Sequence, residues 1–494
     1  MSEPGTGEPD RARVVVVGGG ISGLTAAWEL VRTDPHLDVL VLDGRDRTGG
    51  KLRSAEVAGV RVDVGAESML ARRPEGLDLA DELGLTPELV HPEPVGAAIW
   101  SRGALHAMPK GTLMGVPSDP AAAAGLLTPA EVERAAAEPD LPPLEEDTSV
   151  GDLVERHLGA AVVDRLVEPL LGGVYAGHAR ALSVRAAVPA LWDAARAGES
   201  LTAAARRTAQ RAEAARREST QPAPPVFAGV PGGLGLLAER LTAELASRGV
   251  RFETDTLVRR LERTPSGWRL VSGPVPAPRA VEADAVVLAL PARPAARLLD
   301  DVVPPAAARL AEVDYASMAI VTLALPRSVL ADLPALAGSS GFLVPPVERR
   351  VIKAATFSSA KWSWVDAAAA ARDVVLLRTS VGRQGETADL HRGDPELVRA
   401  ALGDLGAALG RPLPQPVDTL VQRWGGALPQ YAVGHPDRVA RIREALARVP
   451  GLELAGAAYE GVGIPACIGT GRAAARATLA TLTRVHERGA RGAQ

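Results

Sequence analysis

Three glycines at a fixed spacing, Gly18-x-Gly20-x-x-Gly23, are the first residues along the chain whose types point to chemistry. Each has its own task in a loop that cradles a diphosphate. Gly18 permits a tight turn, Gly20 lets backbone approach the pyrophosphate, and Gly23 lets a helix pack on a strand. A helix opening here, through Gly19, Gly20, Ile21 and Ser22, turns free N–H groups and its positive dipole end toward the phosphates. Asp43, with Gly44 beside it, closes a second apolar run. Its carboxylate can accept hydrogen bonds from both hydroxyls of a ribose, which suits an adenosine without a 2′-phosphate. The set predicts binding of an adenine dinucleotide.

Those residues need a strand, a helix and a second strand to hold them. Val14-Val15-Val16-Val17 is a continuous β-branched run, as in a strand buried on both faces of a parallel sheet. A helical pattern covers 22–31, and Val39-Leu40-Val41-Leu42 supplies the next strand, so the whole is a right-handed βαβ unit. From about 92 to 225 the texture is alanine-rich helix with little strand signal. Thr128-Pro129-Ala130-Glu131 and 149–152 read as helix starts, and Gln221-Pro222-Ala223-Pro224-Pro225 as a closing loop. An amphipathic helix is expected over 234–247, and short strands near Phe252 and over 268–271. Ala285-Val286-Val287-Leu288-Ala289-Leu290 reads as another buried strand, and 320–325 with 374–377 as a separate sheet. Late in the chain, 453–456 begins a strand that leads through a glycine-rich turn into a helix near Gly471.

Composition narrows the function classes. At 494 residues the chain suits two or three lobes, and a net charge of −4 with a pI near 6.1 argues against nucleic-acid binding. Cys467 is the only cysteine, so no disulfide framework exists and a reducing compartment is expected. The polar start, 1–13, lacks a secretory pattern, and no run of eighteen apolar residues occurs. A soluble, cytoplasmic protein is expected, with a peripheral membrane contact left open. The eight histidines give no metal-ligand spacing with Cys467, so no metal site is expected. Asp63 and Glu67 lack the spacing partner of a glycosidase-like carboxylate pair, and each reads as a cap or surface acid. Ser183 and the other serines lack a nucleophile-elbow context. The sequence points to no catalytic residue.

Six residues beyond Asp43 comes Gly49-Gly50-Lys51-Leu52-Arg53. An acid followed by Arg47-x-Gly49-Gly50 resembles the extended motif of the glutathione-reductase and amine-oxidase flavoproteins. That resemblance selects FAD over NAD, with Gly50 and Lys51 in the added contacts. Val64-Gly65-Ala66-Glu67-Ser68 adds a small-residue turn where backbone can approach a flavin.

Four further stretches extend the likeness: 168–177 (EPLLGGVYAG), 230–234 (VPGGL), 355–362 (ATFSSAKW) and 461–468 (GVGIPACI). With them the chain resembles the protoporphyrinogen oxidase family, over roughly 13–480, and most of all its bacterial branch that oxidises coproporphyrinogen III to coproporphyrin III. The resemblance implies an α/β fold: a Rossmann-like FAD domain from discontinuous segments (10–95, 226–300, 426–485), a helical insertion at 96–225 and a mixed-sheet substrate domain at 301–425. It implies flavin contacts at Trp424, Val462, Gly463 and Ile464, and an adenine contact at Val258. Arg72 and Arg73 fall where the family anchors a substrate propionate, with Lys361 a weaker candidate. The family's ribose acid is usually glutamate, and Asp43 is a methylene shorter. The implied reaction is a six-electron oxidation in haem biosynthesis, with molecular oxygen as acceptor and hydrogen peroxide released. A contact with the next enzyme of that pathway is implied too. The alternatives are a protoporphyrinogen IX oxidase, an amine oxidase or carotenoid desaturase on the same scaffold, and a non-catalytic flavin- or porphyrin-binding protein. With Phe, Trp and Tyr at 3% of the chain, the aromatic flavin face of an amine oxidase is hard to assemble.

Overall fold

The computed structural model describes residues 11–218 and 225–492. The expected loop at 221–225 lies outside the described residues except for Pro225, as does most of the polar start.

The β-branched run forms strand Arg13–Val17. It pairs in parallel with Asp38–Leu42 on one side and Ala285–Leu288 on the other. Arg251–Glu253 and Leu452–Leu454 complete a five-stranded parallel sheet. The central strand reads as unbroken valine because both its faces are covered. Val14 and Val16 pack in one core with Leu24, Leu241 and Ile468, and Val15 and Val17 in another with Trp268, Leu299 and Leu310. Helix Ile21–Thr33 makes the first crossover. The last helix, Ile464–Gly492, lies across it, and a Cβ at Gly471 would sit 2.3 Å from the Ser22 carbonyl oxygen. The crossing therefore requires glycine there. This helix begins seven residues before the expected Gly471 start, because Gly471 is a packing glycine inside the helix rather than its boundary.

The second sheet has seven strands in the order Asp418–Pro429, Tyr315–Pro326, Val374–Val381, Ile352–Thr356, Ser339–Leu343, Gly96–Ser101, Ala104–Ala107. Ser339–Leu343 runs parallel to Gly96–Ser101, and the other neighbours are antiparallel. The two strands between Gly96 and Ala107 correct the reading of that stretch as alanine-rich helix with little strand signal. Gly-Ala-Ala-Ile-Trp carries no clean alternation, and the strand is fixed by distant partners: Trp100 meets Phe342 edge-on, with ring centroids 6.1 Å apart.

Beyond Ala107 the helical lobe follows, with Pro129–Ala136, Val150–Leu158, Glu168–Tyr175, Pro189–Arg196 and Leu201–Glu218. Its predicted starts are in place. Thr128 accepts from the Glu131 N–H at 3.3 Å while the Glu131 carboxylate accepts from the Thr128 N–H at 2.7 Å. The Ser149 hydroxyl accepts from the Asp152 N–H at 2.9 Å.

Candidate active site

The three glycines of the first loop are required for different reasons. Gly18 has φ +108°, and a Cβ there would lie 2.4 Å from the Ala289 carbonyl oxygen. A Cβ at Gly23 would lie 1.8 Å from the Gly18 carbonyl oxygen. Protein packing alone fixes both. At Gly20 the nearest atom to such a Cβ is Gly50 Cα, at 4.0 Å. The space in front of Gly20 is left for something other than protein. Gly49 donates to the Gly19 carbonyl at 2.8 Å, so the second glycine pair closes over the first. Helix Ile21–Thr33 opens with no side-chain cap, which leaves its first N–H groups for an anion. These features fit a diphosphate.

Asp43 accepts from the Gly19 N–H at 2.7 Å through Oδ2 and from the Arg45 N–H at 2.8 Å through Oδ1. It thus braces the phosphate loop while each oxygen keeps a lone pair for ribose. The Thr256 N–H donates to the Asp43 carbonyl at 2.8 Å, and Leu257 packs over Gly44. Val258, the expected adenine neighbour, follows directly and is buried.

At the other end of the site, Gly65 is held against Lys51. A Cβ at Gly65 would lie 2.0 Å from the Lys51 carbonyl oxygen, which also accepts from the Ala66 N–H at 3.3 Å. The Trp424 indole N–H donates to the Val64 carbonyl at 2.9 Å, so this buried ring backs the turn. Glu67 is bound by two cations, Lys361 and Arg378, and Arg378 also donates to the Gly65 carbonyl at 2.8 Å. Burial alone would raise the Glu67 carboxyl, but the two cations outweigh it and hold the group at about 2. Glu67 and Lys361 are therefore partners of each other. Arg378 escaped the sequence reading, and the available signal was an arginine inside the apolar strand Val374–Val381, which demands a counter-ion.

Asp63 is the cap that the sequence suggested. It accepts from the Leu234 and Gly235 N–H groups at 2.7 and 3.2 Å, at the start of helix Gly235–Ser247. A Cβ at Gly233 would lie 2.6 Å from its carboxylate, which accounts for the second glycine of the 230–234 stretch. Burial pushes the Asp63 carboxyl up to about 6.

Val462 and Gly463 precede the helix that starts at Ile464, and the Cys467 N–H donates to the Gly463 carbonyl at 3.0 Å. A Cβ at Gly463 would meet only Pro465, at 3.9 Å, so this turn too has an open side. The Cys467 thiol is buried, and burial pushes its pKa up, which keeps it protonated. Arg73 is paired with Glu75. Arg72 is exposed, with no hydrogen bond or ion pair among the described residues. Ser68 is half-buried and Gly44 exposed.

The family described as flavin containing amine oxidoreductase matches residues 21–479. This chain belongs to it. Curated relatives include the coproporphyrinogen III oxidase of Mycobacterium leprae, 38% identical over 95% of this chain and 98% of its own. That of Bacillus subtilis is 31% identical over 96% of this chain and 99% of its own. A solved structure from Exiguobacterium sp. 255-15, provisionally named a protoporphyrinogen oxidase, superposes with a TM-score of 0.81. It is 32% identical, over 95% of this chain and 99% of the other. A putrescine oxidase, at 19% identity and a TM-score of 0.67, shares the fold. The chain is an FAD-dependent oxidase of this flavoprotein family, with the amine-oxidase-like fold that the glycine loop and its discontinuous sheet imply. In this flavoenzyme no helix among the described residues is long and apolar enough to cross a membrane.

Proposed function

We propose that this flavoenzyme oxidises coproporphyrinogen III to coproporphyrin III in haem biosynthesis, with molecular oxygen as acceptor and hydrogen peroxide released. The observation that carries the reading is the near full-length likeness to enzymes of that name, 38% identical over 95% of the chain. Bound FAD supplies the hydride acceptor, and the protein supplies position and electrostatics. The loop 18–23 and Asp43 anchor the dinucleotide, with Val258 beside the adenine. The turn 64–68, backed by Trp424, and the turn 462–464 at a helix N-terminus flank the ring. Glu67 is held ionised by two cations and Asp63 caps a helix, so neither is a free base.

A pocket for four propionates has to present cations, since an unpaired buried carboxylate is costly. Lys361 is neutralised by Glu67 and Arg73 by Glu75, which leaves Arg72 as the stronger anchor. Arg72→Ala is expected to raise KM for coproporphyrinogen roughly tenfold, the scale of one partly solvated charge-assisted contact. FAD content should stay the same. Arg73→Ala should raise KM less. Unchanged KM in both variants would remove the propionate assignment. The test of the reaction itself is the fluorescence of porphyrin formed from each of the two porphyrinogens. Preference for protoporphyrinogen would place the chain with relatives such as the Macaca fascicularis protoporphyrinogen oxidase, 31% identical over 95% of this chain. Flavin reduction by porphyrinogen without oxygen separates a catalyst from a carrier.

A further inference from the structure

The segment 430–434 joins the helical lobe to the flavin side of the molecule. From the lobe, the Tyr175 carbonyl accepts from the Gln430 side-chain amide at 2.8 Å. The Ser183 N–H donates to the Tyr431 carbonyl at 2.7 Å. Asp147 accepts from both the Ser183 hydroxyl, at 2.7 Å, and the Gly434 N–H, at 2.9 Å. The Tyr431 ring is 3% exposed and stacks on His435, with centroids 4.0 Å apart and planes 13° apart. Burial pushes His435 down to about 4, so the stacked imidazole is neutral.

The phenol of Tyr431 leaves this cluster and points to the other side. It donates to the Ala457 carbonyl at 2.6 Å and accepts from the Gly461 N–H at 2.8 Å. Gly461 has φ +134° and opens the turn 461–463 ahead of helix Ile464–Gly492. A phenol can donate once and still accept. Both capacities are spent here on the two ends of one short loop. Burial raises the Tyr431 pKa, so the donor stays protonated. No other side chain among the described residues ties the Gly461 N–H down.

We propose that Tyr431 is a positioning residue for FAD, one that fixes the 461–463 turn against the flavin and ties its place to that of the helical lobe. The proposal rests on the assignment of 462–464 as flavin contacts. Tyr431→Phe deletes the phenol oxygen but keeps the ring stack and the backbone bond to Ser183. Release of FAD from the holoenzyme on dilution, read by flavin fluorescence, is expected to be roughly tenfold faster, the scale of one net hydrogen bond. Deuterium uptake by holoenzyme peptides covering 457–463 should rise, while peptides around Ser183 keep their protection. A purely structural tyrosine would instead lower thermal stability and leave flavin release alone. Unchanged flavin release would overturn the proposal, whatever the uptake at 457–463. Should the variant fail to fold, the wild-type holoenzyme still decides, because a rapidly exchanging Gly461 amide there contradicts the hydrogen bond. None of these measurements uses a porphyrinogen, so a wrong substrate reading would leave them standing.

Discussion

Gly20→Val is expected to purify as folded, soluble protein that is colourless, with FAD occupancy reduced at least on the order of tenfold. Gly20 has φ −73° and ψ 174°, an extended conformation open to any residue, so valine meets no backbone strain. A Cβ at this position lies 4.0 Å from its nearest protein neighbour. The added isopropyl group therefore costs the apoprotein little. It projects instead into the space that the diphosphate must enter, where the loop depends on close backbone approach. Gly23→Ala provides the contrast, since its methyl would collide with the Gly18 carbonyl at 1.8 Å. That variant should lose soluble yield, not merely flavin. The measurement is the ratio of flavin to protein absorbance, together with circular dichroism to establish folding. Full flavin occupancy in Gly20→Val would mean that the loop does not hold the cofactor.

That difference between glycines bears on what could be read from the sequence. The first strand, the loop and Asp43 were legible because each is a local device: a β-branched run, a turn chemistry, an acid at a strand end. The FAD assignment and the lobed α/β architecture followed from them and from the resemblance. What escaped depends on partners far along the chain. The strands Gly96–Ser101 and Ala104–Ala107 lack alternation and owe their existence to a sheet whose other members lie beyond Tyr315. Asp63 could be suspected as a cap, but its helix starts 171 residues later, at the Leu234 N–H. The onset of the last helix was misplaced because Gly469 and Gly471 look like breakers in isolation. Against helix Ile21–Thr33, Gly471 is instead the only residue type that fits. Arg72 and Arg73 looked equivalent in sequence, and only the Glu75 pairing separates them.

Arg378 is the largest such omission, since it meets Glu67 across 311 residues of sequence. Arg378→Met is expected to destabilise the protein by about 3 kcal/mol, the low end for breaking a buried pair while its partner stays charged. The low end applies because the Glu67 side chain is 16% exposed and retains Lys361. The acid limb of stability gives an independent check. The Glu67 carboxyl is held at about 2 in the folded protein, against 4.5 ordinarily. Its contribution is therefore fully present above about pH 5 and is lost as pH falls from there toward 2, to a total of about 3 kcal/mol. Glu67→Gln should flatten that part of the profile relative to wild type. The double variant Glu67→Gln with Arg378→Met should recover part of the loss of Arg378→Met alone, because no unpaired carboxylate remains buried. Arg378 also holds the Gly65 carbonyl, so Arg378→Met should retain FAD less well than Glu67→Gln, in which the Gly65 contact survives. Thermal midpoints of the four proteins at pH 7 and near pH 4, with flavin release recorded in the same samples, separate the two roles. Identical pH dependence in wild type and Glu67→Gln would mean that the pairing of Glu67 with Lys361 and Arg378 contributes no stability.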